Sequence, residues 1–387
     1  MWYVSQIGRR EHYALPAHLH RMGQLGLFAT DIWAPWAASS RSLIRSEKLA
    51  QRFEATMGEA PVIHRSLIAN LFERLSGGDI YRRWTREGAH FGNFAARKFS
   101  QADLGPEDSV IGYTAANLEQ LTLARKRGAK ALHIQVDPGI SWYETRRQEQ
   151  LAHPRAEDLS PMPGAEFLER MGQEWGQADK VIVHSEHSRA ALLAQGVDAG
   201  RCVVVPPALK PTSAQTARRL DSSRPFRVLF VGNHCLAKGY HVFVDAARQA
   251  GDGFEFLSVG SHTMKPSYME EATKHVTILG SKSQAGVREQ MERADALVFP
   301  TLSDGFGLVQ LEAMASGLPV IATPCCGEVV KNRVNGLIVP PRDSQAIVSA
   351  LHALNADADR YEQLSLAASL RPLDYSPALH FEALLGM

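Results

Sequence analysis

No stretch of about 18 or more consecutive apolar residues occurs in the 387-residue chain, so nothing in it reads as a membrane-spanning helix. Cysteine is scarce. The four present, Cys202, Cys235, Cys325 and Cys326, form no C-x-x-C pair, which argues against a disulfide framework and against a zinc finger. Charge of one sign is lacking as well. Lys and Arg total 42 against 41 Asp and Glu, a balance that speaks against a protein drawn to nucleic acid by bulk charge. The opening residues, MWYVSQIGRREHYALP, lack the order of a signal peptide: the apolar stretch is short, is broken by Ser5 and Gln6, and precedes its charges. A reducing, cytoplasmic setting fits these absences.

What is present is apolar residue in quantity, 45% of the chain, enough for two full cores. In the second half, short runs recur at Phe226–Val231, Phe254–Val259, Val276–Leu279, Ala296–Phe299, Pro319–Ala322 and Gly336–Val339, each followed by a polar, helix-like stretch. Near-continuously apolar rather than alternating runs suit strands covered on both faces, as in a parallel α/β sheet. The first half repeats the theme at Trp2–Ile7, Ser109–Tyr113, Ala131–Val136, Val181–Val183 and Val203–Val205. Between the first two of these, Leu43–Phe99 reads as mostly helical, with Gly77-Gly78 as a break, and His153–Gly164 reads as a loop. A seam without apolar periodicity lies at Lys210–Pro225. The expected division is therefore 1–210 for a first Rossmann-like domain, 211–225 for a linker and 226–371 for a second. A final helix within 372–387 is expected to pack back on the first domain.

The segment Phe299–Thr323, FPTLSDGFGLVQLEAMASGLPVIAT, carries the chemistry. A strand ends near Pro300, a loop with Asp304, Gly305 and Gly307 follows, and a helix runs from about Leu308 to Ser316. Glycines before a helix let backbone approach a ligand, and free N–H groups at a helix start attract phosphate. Glu312 lies about five residues in, roughly 7 Å along the axis. A diphosphate at the helix start places a ribose near that depth. A carboxylate among Leu311, Ala313, Met314 and Ala315 needs partners if it is buried, and ribose hydroxyls would supply them. A plain crossover helix with an exposed Glu312 is the simpler alternative.

This stretch resembles the E-x7-E region of the retaining glycosyltransferases of family four, which have the GT-B fold. Glu312 matches the second acid, and Asp304 stands where the first Glu usually stands. The Gly305-Phe306-Gly307 step and the following EAMASGLPVIAT are intact. The resemblance implies that Glu312 binds ribose hydroxyls, that Asp304 contacts the donor sugar, and that amides from Gly307 and Leu308 hold phosphate. A second matching segment, VGNHCLAKG, spans Val231–Gly239. The family pattern places an Arg just after Gly232 and a Lys five residues later, both on the diphosphate. Lys238 matches, and Asn233 replaces the Arg. The likeness is strong over about Phe226–Arg342 and weaker before it. Asp304 and Lys238 are the residues it implies for the reaction.

Weaker signals complete the candidate site. Gly260 ends one strand and Lys282 follows another, so both could border a nucleotide base, although a simple turn explains them equally well. In the first half, Gly8 follows the first strand, with His12 behind it, and both fit a cleft-facing loop. His133 and Asp137 flank the end of another strand. For His133 a satisfied core histidine is the simpler reading, and Asp137-Pro138-Gly139 is a turn signal in any protein. His12, His18 and His20 lack metal-ligand spacing. Ser185 reads as a helix cap alone, and Asp357-Ala358-Asp359 as a solvated turn.

The fold expected is α/β, two Rossmann-like domains facing across a cleft. The reaction implied is transfer of a sugar from a nucleoside diphosphate sugar to a carbohydrate or lipid-linked acceptor, with retention and with no cofactor or metal. Surface polysaccharide or glycolipid synthesis and peripheral membrane contact are family-level expectations. A sugar-nucleotide epimerase or hydrolase, or a non-catalytic sugar-nucleotide-binding protein, are the alternatives, the latter prompted by Asp304 and Asn233.

Overall fold

The structure is a computed structural model that describes residues 1–35, 49, 51–65, 79–208 and 217–386. Gly77-Gly78 and the first part of the expected linker lie outside the described residues. The first sheet contains β1 (Trp2–Gln6), β2 (Leu25–Thr30), β3 (Val62–His64), β4 (Ser109–Tyr113), β5 (Lys130–Gln135), β6 (Lys180–Val183) and β7 (Cys202–Val204). Its order is β3-β2-β1-β4-β5-β6-β7 and every pairing is parallel. The second sheet contains β8 (Phe226–Val231), β9 (Phe254–Val259), β10 (Thr277–Ile278), β11 (Ala296–Phe299), β12 (Val320–Ala322) and β13 (Gly336–Ile338), in the order β10-β9-β8-β11-β12-β13, again all parallel.

Parallel neighbours need crossover connections, and those between sequential strands here are largely helical. The described α-helices are α1 (Ala14–Arg21), α2 (Ile80–Gln101), α3 (Leu118–Arg127), α4 (Ile140–Ala152), α5 (Ala165–Gln177), α6 (Glu186–Ala194), α7 (Tyr240–Gln249), α8 (Pro266–Ala272), α9 (Gln284–Arg293), α10 (Val309–Ala315), α11 (Ser344–Ala356), α12 (Ala358–Leu370) and α13 (Pro377–Leu385). Helices on both faces bury the strands on both sides. Val4, Ile111, Leu132 and Ile182 fill one core of the first domain, and Val110, Ala131, Val181 and Val183 fill the opposite one. Val228, Phe230 and Val298 face one core of the second domain, and Leu229, Leu297 and Phe299 face the other.

Two departures from the sequence reading concern the first domain. Leu25–Thr30 and Val62–His64 are strands, the second of them inside the segment expected to be mostly helical. Both complete the sheet edge outside β1, where hydrogen bonding to a formed neighbour overrides weak local pattern. After α12 the chain crosses between domains. Tyr375 packs edge-on against Phe306 at 5.6 Å, and then Phe381 of α13 packs against Trp2 of β1 at 5.8 Å. His380 Nδ1 also meets the Pro206 carbonyl at 2.7 Å.

Candidate active site

In open parallel sheets, ligands sit beyond the carboxyl ends of strands where the strand order reverses. Here the reversals lie between β1 and β4 and between β8 and β11. Both open on one cavity of about 420 Å³ between the domains. Arg10 and Glu11 reach it from beyond β1, and Tyr113 from the end of β4. Val231 and Gly232 reach it from β8, and Phe299 from β11. Lys238, Asp304, Phe306, Gly307, Leu308 and Glu312 complete the second domain's share.

Lys238 ends a short turn, Leu236–Lys238, directly before α7. Its ammonium forms an ion pair with Asp304 Oδ2. Burial works to lower the Lys238 pKa, but the Asp304 carboxylate beside it holds the pKa above the ordinary lysine value. Asp304 Oδ1 also accepts the Phe306 N–H at 3.4 Å. Helix α10 begins after Leu308, which has no side-chain cap, so Asp304 is not the helix cap. No hydrogen bond within the described residues engages the amides of Gly307 and Leu308, which precede α10 at the cavity wall.

Glu312 lines the cavity from the second domain. It is not buried: its side chain is 31% exposed and lies 3.7 Å from His12 Nε2 across the cleft. It stands in the first turn of α10, where a carboxylate also suits the helix dipole. His12 belongs to an unusual run, because Glu11, His12 and Tyr13 all adopt positive φ, 47°, 52° and 61°. Consecutive left-handed residues with side chains are disfavoured. The run is held by buried groups around it: Tyr13 is fully buried, and Glu11 Oε1 accepts the Tyr113 hydroxyl at 3.3 Å and lies 3.6 Å from His184 Nε2. Burial, with Glu11 next, pushes the Tyr113 hydroxyl pKa up, and burial pushes His184 down.

Other expected site residues are placed differently. Gly8 donates its N–H to Asp31 at 2.9 Å beside the cleft loop. Gly260 does not line the cavity; a Cβ there would meet the Gly232 carbonyl oxygen at 1.8 Å, so its role is close packing of two strand ends. Asn233 and Lys282 are exposed and outside the cavity lining, and Gln284 and Val287 border it in place of Lys282. His133 is fully buried on β5, 3.3 Å from Gln135, and does not reach the cavity. Asp137 accepts from Gln135 at 2.8 Å and from the Gly139 amide at 3.0 Å, and burial raises its pKa. It sits at the domain seam, where a Cβ on Gly305 would meet the Val136 carbonyl oxygen at 1.9 Å.

Arg10, Glu11, Tyr113 and His184 were not singled out from the sequence, although they line the cavity. Ser185 caps α6 by accepting the Ser188 N–H at 3.1 Å, and its hydroxyl also donates to the Gly305 carbonyl at 2.7 Å. The cap thus ties the first domain to the glycine loop of the second.

The second half of the chain is similar to known proteins. Residues 225–357 match the family described as Glycosyl transferases group 1. This stretch is similar to that family over about a third of the chain. D-inositol 3-phosphate glycosyltransferase of Nocardia farcinica is 30% identical over 235 residues, covering 54% of this chain and 52% of that protein. Glycogen synthase of Mycobacterium tuberculosis is 28% identical over 165 residues, 40% of each chain. The chain spans about half the length of the first curated relatives it matches. Among solved structures, sucrose-phosphate synthase from Thermosynechococcus elongatus aligns with a TM-score of 0.70 at 18% identity, over 99% of this chain and 97% of that one. Anabaena HepE in complex with UDP aligns with a TM-score of 0.64 at 15% identity, over 100% and 99%. The overall fold is thus the two-domain GT-B fold.

Proposed function

We propose that the chain is a retaining glycosyltransferase that takes its sugar from a nucleoside diphosphate donor and passes it to an acceptor hydroxyl. The observation that carries this reading is convergence: both sheet reversals, Lys238, Asp304, Glu312 and the open amides of the glycine loop meet at one cavity. The diphosphate belongs between Lys238 and the amides of Gly307 and Leu308, with the ribose hydroxyls on Glu312. Arg10, a cavity cation from the first domain, supplies the charge that Asn233 lacks. A phosphate that takes over Lys238 releases Asp304 toward hydroxyls of the donor sugar. That HepE was solved with UDP and with UDP-glucose supports a sugar nucleotide as donor.

In this mechanism the chain stabilises the leaving diphosphate electrostatically, and the departing phosphate oxygen accepts the acceptor proton. Lys238 and backbone amides do the work that a metal does elsewhere, so no cofactor takes part in the reacting centre. The acceptor is a carbohydrate or a lipid-linked sugar of surface polysaccharide or glycolipid synthesis, approached from the cytoplasmic side with peripheral membrane contact. A thermal-shift screen of sugar nucleotides tests the donor, because a ligand of the folded state raises the melting temperature. The stabilising donor is then incubated with and without acceptor sugars, and the anomeric configuration of the product is read by NMR. Acceptor-dependent transfer with the donor's configuration supports the reading. Fast turnover of donor alone identifies a hydrolase or epimerase, and binding without turnover a non-catalytic protein.

A further inference from the structure

We propose that Glu149, His153 and His241 form a binding site for a transition-metal ion, zinc by its ligand set, that ties the two domains together outside the sugar-nucleotide cavity. Glu149 lies in α4 of the first domain, and His153 follows that helix four residues later. His241 lies in α7 of the second domain. Residues four apart on a helix share a face, so one turn of the first domain presents a carboxylate and an imidazole to an imidazole of the second. Glu149 Oε2 is 3.4 Å from His241 Nε2 and 3.8 Å from His153 Nε2. One ligand atom from each residue lies within 4.8 Å of the other two. A tetrahedral zinc with bonds near 2.0–2.1 Å needs its ligand atoms about 3.3 Å apart, so a small closing motion completes the set.

The surroundings suit a built site rather than a chance surface cluster. Glu149 and His241 are buried, with His153 at the solvent edge as the route of entry. Arg342 holds Glu149 Oε1 at 2.6 Å through both Nε and Nη2, which leaves Oε2 for the ion and fixes the carboxylate as outer partners of metal sites do. Asp245, one turn beyond His241 and paired to Arg248 at 3.2 Å, places a second negative charge near His153 and offsets the arginine. Water would take the fourth position. Two histidines and a carboxylate with one open position is a zinc-type set. None of the three residues lines the sugar-nucleotide cavity, so the ion is not a reaction partner. Its effect reaches the cavity through α7, which starts two residues after Lys238.

The test uses the full chain freed of metal by chelator dialysis and titrated with Zn²⁺ against a chromogenic competitor, with Co²⁺ spectra in parallel. The expected result is one equivalent bound, a zinc-dependent rise in melting temperature, and a Co²⁺ spectrum without a thiolate charge-transfer band. His153→Ala, at the exposed edge, should weaken zinc binding at least roughly a hundredfold, the upper end of what loss of an outer-shell partner costs, while the metal-free melting temperature stays put. His241→Ala should act alike, and His153→Ala alone decides if that variant does not fold. No binding at micromolar zinc, unchanged affinity in His153→Ala, or a thiolate band would each overturn the proposal.

Discussion

Asp304 and Lys238 neutralise each other across the cavity wall, and that pair must open before either meets a ligand. Asp304 is one methylene shorter than the glutamate of the family pattern. The helix after it has no side-chain cap, so loss of the Asp304 charge leaves α10 itself unaffected. Asp304→Asn should therefore lower turnover tenfold or more, about 1.4 kcal/mol in the barrier, with little change in melting temperature. Full activity in this variant would mean that the donor sugar is held by other groups. At this scale the sequence was legible where a motif is contiguous: Asp304, Gly307, Leu308 and Glu312 all reach the cavity. It was silent on Glu11 and His184, which lie 3.6 Å apart but far apart along the chain. Lys282 and His133, which it offered beside a simple turn and a core histidine, lie outside the cavity lining, since proximity to a strand end does not settle which way a side chain turns.

Among the elements that meet at the domain seam are α6 and the loop before α10. The Ser185 and Ser188 hydroxyls both donate to the Gly305 carbonyl, at 2.7 and 3.2 Å. Gly305 also fits against Val136 with no space for a Cβ. Overpacking costs about 1–3 kcal/mol where backbone cannot yield, but a slight opening of the cleft relieves it here. Gly305→Ala should thus weaken donor affinity and turnover, while circular dichroism and melting temperature stay close to the parent. Wild-type kinetics would show that the seam plays no part in the site. Strands that are largely apolar runs, such as Phe226–Val231 and Phe254–Val259, stood out in the sequence with the boundaries the structure has. Leu25–Thr30 did not, because Gly26 interrupts a short run whose stability comes from pairing with β1.

For the molecule as a whole, the buried His133 opposes stability in acid, while the buried Glu174, whose pKa burial raises to about 7, works the other way. Burial lowers the His133 pKa from 6.5 to about 4, so the unfolded chain binds a proton that the folded chain refuses. The contribution of this group is present above pH 6.5 and is lost as pH drops toward 4, by about 2 kcal/mol between pH 7.5 and 5. Urea unfolding of His133→Gln across that range should show a shallower loss than the parent, and parallel curves would assign the acid limb to other groups.

On the function proposed above, one cavity between two parallel-sheet domains holds a nucleoside diphosphate on Lys238 and Glu312. Calorimetric titration of UDP, GDP and the bare nucleosides into the parent, Lys238→Ala and Glu312→Ala measures it directly. The parent should bind one diphosphate far more tightly than its nucleoside. Lys238→Ala should remove most of that difference, and Glu312→Ala should weaken both ligands by about 1.5–3 kcal/mol. Folded variants that bind the diphosphate as the parent does, or a parent that binds neither diphosphate, would contradict the account.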